Sequence, residues 1–355
     1  MNNTKLILDA IARQAEISPE ERLNEEFNQF MKPYFIERDV EYPEPEYLIE
    51  IGGVPTMPKG NLVAVSAKWK NGKTFFCDIL TAIFLGSDKF ANCRSLMETG
   101  HALFFDTEQA KTDTVRIQAV IDALIPESRR NDYKVACLRE AEIFTDQSQS
   151  TTSSRLEIIS YAVSHKHPDL VIIDGIADLI FNYNDVNESH EIMTELAMMA
   201  SKHNCCIVVV MHQNKSRMDK NMKGHLGTML YQKCSDVFDV EKHDSVFEVK
   251  HSISRHRTCG SICFKLDANA VPMDAVSDRQ LQLEQKRQED KAMLHEKLAK
   301  CFEGFTVPLK CSDVVNLIQG KLGVGTTRAY QLFNSGKEQG LLKTDDGKTY
   351  SLQAL

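Results

Sequence analysis

Hydrophobic residues in this chain gather into short unbroken runs, at 62–66, 101–106, 133–138, 169–174 and 205–211. Runs of that length bounded by polar residues predict strands buried on both faces. The stretches between them, 73–85, 111–124, 151–166 and 187–203, read as helical segments. Alternation of this kind predicts an α/β domain over 46–275, with a mostly parallel sheet flanked by helices.

Past residue 211 the alternation stops. Segments 237–241, 246–250 and 261–265 predict consecutive antiparallel strands that extend the sheet. Residues 1–45 are polar and acidic, and Pro33, Pro43 and Pro45 punctuate their end. They are expected to form an arm of one or two short helices that packs on the main domain or on a neighbouring subunit. Gln, Glu, Lys and Arg dominate 276–290, a polar helical linker. In 291–355, Val314, Val315, Leu317 and Ile318 share one helix, and Thr326 is placed to cap a second. An Asp346-Gly347 turn then predicts a hairpin. Two helices followed by a hairpin form a winged-helix-like layout.

Composition narrows the class. The 355 residues are 42% hydrophobic and 26% charged, as in a globular protein. No apolar run is long enough to span a bilayer, and no signal-peptide core follows Met1, so a cytoplasmic protein is expected. The ten cysteines include no C-x-x-C pair and are expected to be reduced thiols. Of the net charge of −8, most lies in residues 1–50, with twelve acidic against five basic residues. The remainder is near neutral, so the overall acidity leaves room for a local DNA-binding surface.

The chemistry starts at the first strand–helix junction. There Ala67-Lys68-Trp69-Lys70-Asn71-Gly72-Lys73-Thr74-Phe75 has the layout of a P-loop. Loop amides and the helix N-terminus wrap the phosphates of a nucleotide, Lys73 reaches the β- and γ-phosphates, and Thr74 ligates Mg²⁺. The usual first glycine is Ala67, which suits the turn only if its φ is negative. Asp174, ending the run 169–174, is the expected second metal residue. Asp106 ends the run 101–106 and Glu108 follows it by two residues, with Glu108 the expected base for the attacking water and Asp106 a supporting ligand or orienter. His212 and Gln213, after the run 205–211, can hydrogen-bond a γ-phosphate and report its loss.

In this order the four elements resemble the RecA-like ATPases, and among them the RepA-type hexameric replicative helicases and related mobile-element ATPases. The residues that carry the likeness are Gly60, the segment Lys70 to Thr74, the segment Phe105 to Gln109, the segment Val171 to Gly175 with Asp178, the segment His212 to Lys215, the segment Gly224 to Thr228, and Ser254-Arg255. It implies an ATP- and Mg²⁺-dependent homo-hexamer acting on single-stranded DNA. The mobile loop expected at 215–227 would line its channel, with Lys215, Arg217, Lys220 and Lys223 on DNA phosphates. It also implies a basic residue that reaches the neighbour's γ-phosphate: Arg255 first, with Arg257 and Lys250 as alternatives. In the C-terminal unit, Thr327, Arg328 and Gln331 are the candidate duplex contacts. Two other roles remain open: an ATP-gated DNA-binding regulator or loader, and a RecA-like recombination or repair ATPase.

Overall fold

In the computed structural model the described residues are 18–141, 151–214, 221–276, 278–305, 307–344 and 347–353. The chain divides into Met1–Pro45 and Glu46–Leu355. In the first unit, α1 (Pro19–Met31) opens on a capping box. The Ser18 hydroxyl accepts from the Glu21 amide, and the Glu21 carboxylate accepts from the Ser18 amide.

The second unit opens with a hairpin, β1 (Tyr47–Ile51) and β2 (Val54–Pro58), turned by Gly52-Gly53. Then come β3 (Leu62–Ala67), α2 (Lys73–Phe84), β4 (Cys93–Ser95), β5 (Ala102–Asp106), α3 (Lys111–Leu124), β6 (Tyr133–Cys137), α4 (Thr151–Lys166) and β7 (Leu170–Asp174). After them follow α5 (Val186–His203), β8 (Cys206–His212), α6 (Gly224–Lys233), β9 (Asp236–His243), β10 (Val246–Ser254), β11 (Ile262–Leu266) and β12 (Pro272–Asp274). β4 joins β1 and β2 in a separate three-stranded sheet.

The main sheet has nine strands in the order β12-β11-β10-β9-β3-β8-β7-β5-β6. From β9 to β6 neighbouring strands run parallel, and from β9 to β12 antiparallel. The α/β class is therefore as expected. β9, β10 and β11 are consecutive antiparallel strands as expected, and β9 joins them to the sheet by running parallel to β3. A crossover through α6 reaches β9 from β8, and such connections return a chain in the same direction.

Period-two alternation sends the two sides of each strand into two cores. Val63, Val65, Ile172, Val208 and Val210 face α2 and α3. Ala64, Val171, Ile173, Val209 and Met211 face the side of α4, α5 and α6. A third core lies in the C-terminal part, among α7 (Asp278–Phe302), β13 (Leu309–Lys310), α8 (Cys311–Leu322), α9 (Thr326–Glu338), β14 (Leu342–Lys343) and β15 (Thr349–Leu352). Its small sheet has the order β13-β15-β14. α9 starts on Gly325, and Thr326 is its first helical residue instead of its cap; the Thr326 hydroxyl accepts from Gln319. α7 runs unbroken through the segment expected as a linker. None of the ten cysteines is in a disulfide, and no described helix is long and apolar enough to cross a membrane.

Candidate nucleotide site

β3, β8, β7 and β5 are adjacent and parallel, so their C-terminal ends form one sheet edge. Open α/β sheets bind ligands at that edge. Here it gathers Lys73 and Thr74 after β3, His212 at the end of β8, Asp174 at the end of β7, and Glu108 just after β5.

Residues 68–72 form the loop between β3 and α2. Ala67 stays in β3, fully buried and paired with His212 and Val240, and is not among the residues with positive φ. The condition set by the missing glycine is thus met. Left-handed backbone falls instead on Lys70 (φ 60°) and Gly72 (φ 81°). A side chain at Gly72 would also come within 2.7 Å of the Phe247 ring. Trp69, the only tryptophan, is 75% exposed at the loop tip, with the Lys70 ammonium 4.7 Å from its ring centre. Lys68 and Asn71 close the loop through a backbone hydrogen bond of 3.2 Å, and Phe75 packs at the edge of the α2 core.

The polar side chains join in two groups. The Thr74 hydroxyl donates to Asp174 Oδ2 at 2.6 Å. Lys73 Nζ donates to His212 Nδ1 at 2.9 Å, and His212 Nε2 lies 3.4 Å from Glu108 Oε1. An ammonium group has only N–H bonds to offer, so Nδ1 accepts and the imidazole proton sits on Nε2, facing Glu108. That hydrogen bond holds Glu108 below the usual carboxylate range. Burial lowers Lys73 and raises Asp174 to about 6.

Asp106 and Gln213 stand apart from these two groups. Asp106 is fully buried and its oxygens are engaged: Oδ1 accepts from the Glu108 and Gln109 amides, and Oδ2 from the Thr114 hydroxyl. It therefore builds the turn that carries Glu108, which matches the orienting role of the two expected for it. Gln213 follows His212 by one residue, so the strand turns it to the opposite sheet face. There its amide donates to Ser66 at 2.8 Å and to Asp239 at 3.3 Å, away from the P-loop.

Lys215, Arg217 and Lys220 lie outside the described residues. The segments flanking them are tied together, Asn214 N to Asn221 O and Lys223 N to His212 O, both at 2.9 Å. The expected loop ends early, because Gly224–Lys233 is helical. The hydrogen bond from the Lys223 amide to the His212 carbonyl brings the Lys223 backbone next to the candidate site. Arg255 follows β10 at the opposite edge of the sheet, a β3 length of about 17 Å away, and its guanidinium donates to the Lys233 carbonyl at 2.8 Å. Lys250 is paired with Glu241 and Glu248, and Arg257 is exposed. On α9, Thr327, Arg328 and Gln331 are exposed, while Ala329, Phe333 and Gly336 are buried.

A cavity of about 770 Å³ continues from the P-loop between α2 and α3. Its lining includes Asp78, Asp113 and Arg116, and Asn269, Ala270 and Val271 of the β11–β12 turn. None of these was singled out from the sequence. The one available signal was Asp78, a lone acid inside the apolar run Phe75 to Phe84.

Gly175 keeps Glu108 in place. The Thr107 hydroxyl accepts from the Gly175 amide at 2.8 Å and donates to Asp178 at 2.9 Å, which seats β5 against β7. A methyl at Gly175 would lie 2.9 Å from Glu108 Oε1 and 3.3 Å from the Val210 carbonyl. Gly175→Ala is expected to displace the Glu108 carboxylate, lowering kcat by about tenfold or more with nucleotide affinity kept. Steady-state hydrolysis beside calorimetric binding checks this, and an unchanged kcat would show that the seat of Glu108 is unimportant.

Among known proteins, no curated protein matches this chain. One of the solved structures that match is the crystal structure of the RadB recombinase, 17% identical with a TM-score of 0.44, over 62% of this chain and 94% of that one. A family model described as an AAA domain matches residues 24–218. With more than half of its length inside that match, the chain belongs to the AAA-domain family of P-loop ATPases.

Proposed function

We propose that this chain is a Mg²⁺-dependent ATP hydrolase that works as a ring-forming DNA motor, a RepA-like helicase or translocase in replication or mobilisation of a plasmid-like element. One observation carries the hydrolase reading. The hydroxyl–carboxylate pair Thr74–Asp174 stands beside the chain Lys73–His212–Glu108 on a single sheet edge.

The pair fits a magnesium ion, because both partners are hard oxygen donors and the buried Asp174 lacks a full counter-charge. Bound there with a nucleotide, the ion would offset negative charge on the phosphates. The remaining work belongs to side chains. Loop amides and the N-terminus of α2 hold the phosphates. Lys73 leaves His212 for the β- and γ-phosphates, which frees His212 Nδ1. Glu108 orients the attacking water and takes its proton.

His212 also offers a route to DNA. Its carbonyl accepts from the Lys223 amide at the foot of the segment 215–220. A change at the γ-phosphate is thereby passed to the backbone that carries Lys215, Arg217 and Lys220. Replacing these three by Ala should weaken single-strand binding and flatten its dependence on salt. Fluorescence anisotropy over a salt series reads the slope, and an unaltered slope would remove the segment from the DNA path.

A second reading has support in the C-terminal part. Two helices and a hairpin, with Thr327, Arg328 and Gln331 on the open face of α9, suit a winged helix on duplex DNA. The chain would then be an ATP-gated regulator or loader. Lys73→Ala is expected to abolish ATP binding in either case, and calorimetry tests that. Electron microscopy with a non-hydrolysable ATP analogue and single-stranded DNA separates the roles. Closed hexamers support the motor with Arg255 acting on the neighbour's nucleotide, filaments support a recombinase, and slow hydrolysis with site-specific duplex binding supports the regulator.

A further inference from the structure

Asp78 lies on α2 one turn beyond Thr74, about 6 Å along the helix axis. It is 1% exposed, lines the cavity between α2 and α3, and its Oδ1 has no hydrogen-bond partner. Among the described residues no other buried side chain has such an unpartnered atom. Buried polar groups nearly always find partners, so an exception on a cavity wall points to a partner that arrives with a ligand. The cavity is continuous with the P-loop, and Phe75, Ile117, Val120 and Val271 give it apolar walls. Apolar walls with a few polar groups, Asp78 the buried one with an open acceptor, suit an aromatic base.

We infer that Asp78 reads the amine edge of an adenine base held in this cavity, and so sets the preference for ATP over GTP. The inference rests on the nucleotide reading of the site given above. Its chemistry follows from the surroundings. No cation pairs with Asp78 among the described residues, and burial, with Asp174 and Asp106 nearby, pushes its carboxyl well up, towards the neutral form. A neutral carboxyl offers one O–H donor and one carbonyl acceptor. Adenine presents the complement, with N1 accepting and the N6 amine donating. Guanine presents two donors, N1–H and the N2 amine, and matches only an ionised carboxylate. A site built to hydrogen-bond its substrate rejects an analogue that leaves those groups unpaired.

The test compares full-length parent, Asp78→Asn and Asp78→Leu in calorimetric titrations with MgATP and MgGTP. Thermal melts confirm that each protein is folded. Asn retains a donor and an acceptor of the same size, so Asp78→Asn should keep ATP affinity within about threefold. Leu fills the space without either group, so ATP should bind about tenfold or more weakly while GTP changes little. An ATP-to-GTP affinity ratio equal in parent and Asp78→Leu, or a parent that prefers GTP, overturns the role of Asp78 and leaves the nucleotide site standing. A parent that binds neither nucleotide overturns both.

Discussion

Glu108→Gln will bind ATP as the parent does and lose nearly all of its turnover, by a factor on the order of 10²–10⁴. The substitution keeps the shape of the side chain and its acceptor oxygen facing His212 Nε2. It removes only the ability to take a proton. Glu108 is well prepared for that task. The Asp106 carboxylate fixes the turn beneath it through the Glu108 and Gln109 amides. The absence of a side chain at Gly175 leaves its carboxylate room. The imidazole beside it keeps it ionised at neutral pH. Single-turnover hydrolysis with calorimetry on the same protein separates the two effects. Normal turnover in the variant would move the base elsewhere, and equal losses of binding and turnover would make Glu108 a phosphate ligand.

The frame of this site was legible in the sequence because it is built from buried strands. Expected and observed bounds agree closely for 62–67, 102–106, 170–174 and 206–212, and polar residues ending buried runs gather at one edge of a parallel sheet. The same period-two argument, carried one residue further, separates His212 from Gln213. Read as a pair by resemblance, they part in the fold because a strand cannot send neighbours to the same face. Asp106 was harder to read, since an acid after a strand serves a metal or a turn equally well, and only the positions of the Gln109 amide and Thr114 decide. α6 was hidden by its glycines. At Gly227 a side chain would come within 2.5 Å of the Met222 backbone, so the glycine marks close packing there and not a mobile loop. The Gly52-Gly53 hairpin carried a readable turn signal, but its strands are too short for periodicity to stand out.

Asp174→Asn is expected to destroy hydrolysis and to stabilise the nucleotide-free protein, by on the order of 3 kcal/mol at pH 7.5. Burial raises the Asp174 carboxyl from its reference value of 3.8 to about 6 in the folded chain. Between those two values the unfolded chain gives up the proton while the folded one keeps it. Stability from this group is therefore present at low pH, falls as pH rises through that window, and stays reduced above it. Asn carries no charge at any pH, so the variant and the parent should unfold alike near pH 4 and diverge by pH 7.5. Its amide oxygen can still accept from the Thr74 hydroxyl, which preserves the local geometry. Urea unfolding of both proteins in chelator across that pH range measures the difference directly. A constant offset would mean that the buried carboxylate is already neutralised by Lys73. A difference that grows with pH in chelator and shrinks when Mg²⁺ and nucleotide are added would tie the destabilising charge to the ligand it serves, as expected where a binding site stores a desolvation cost until its cation arrives.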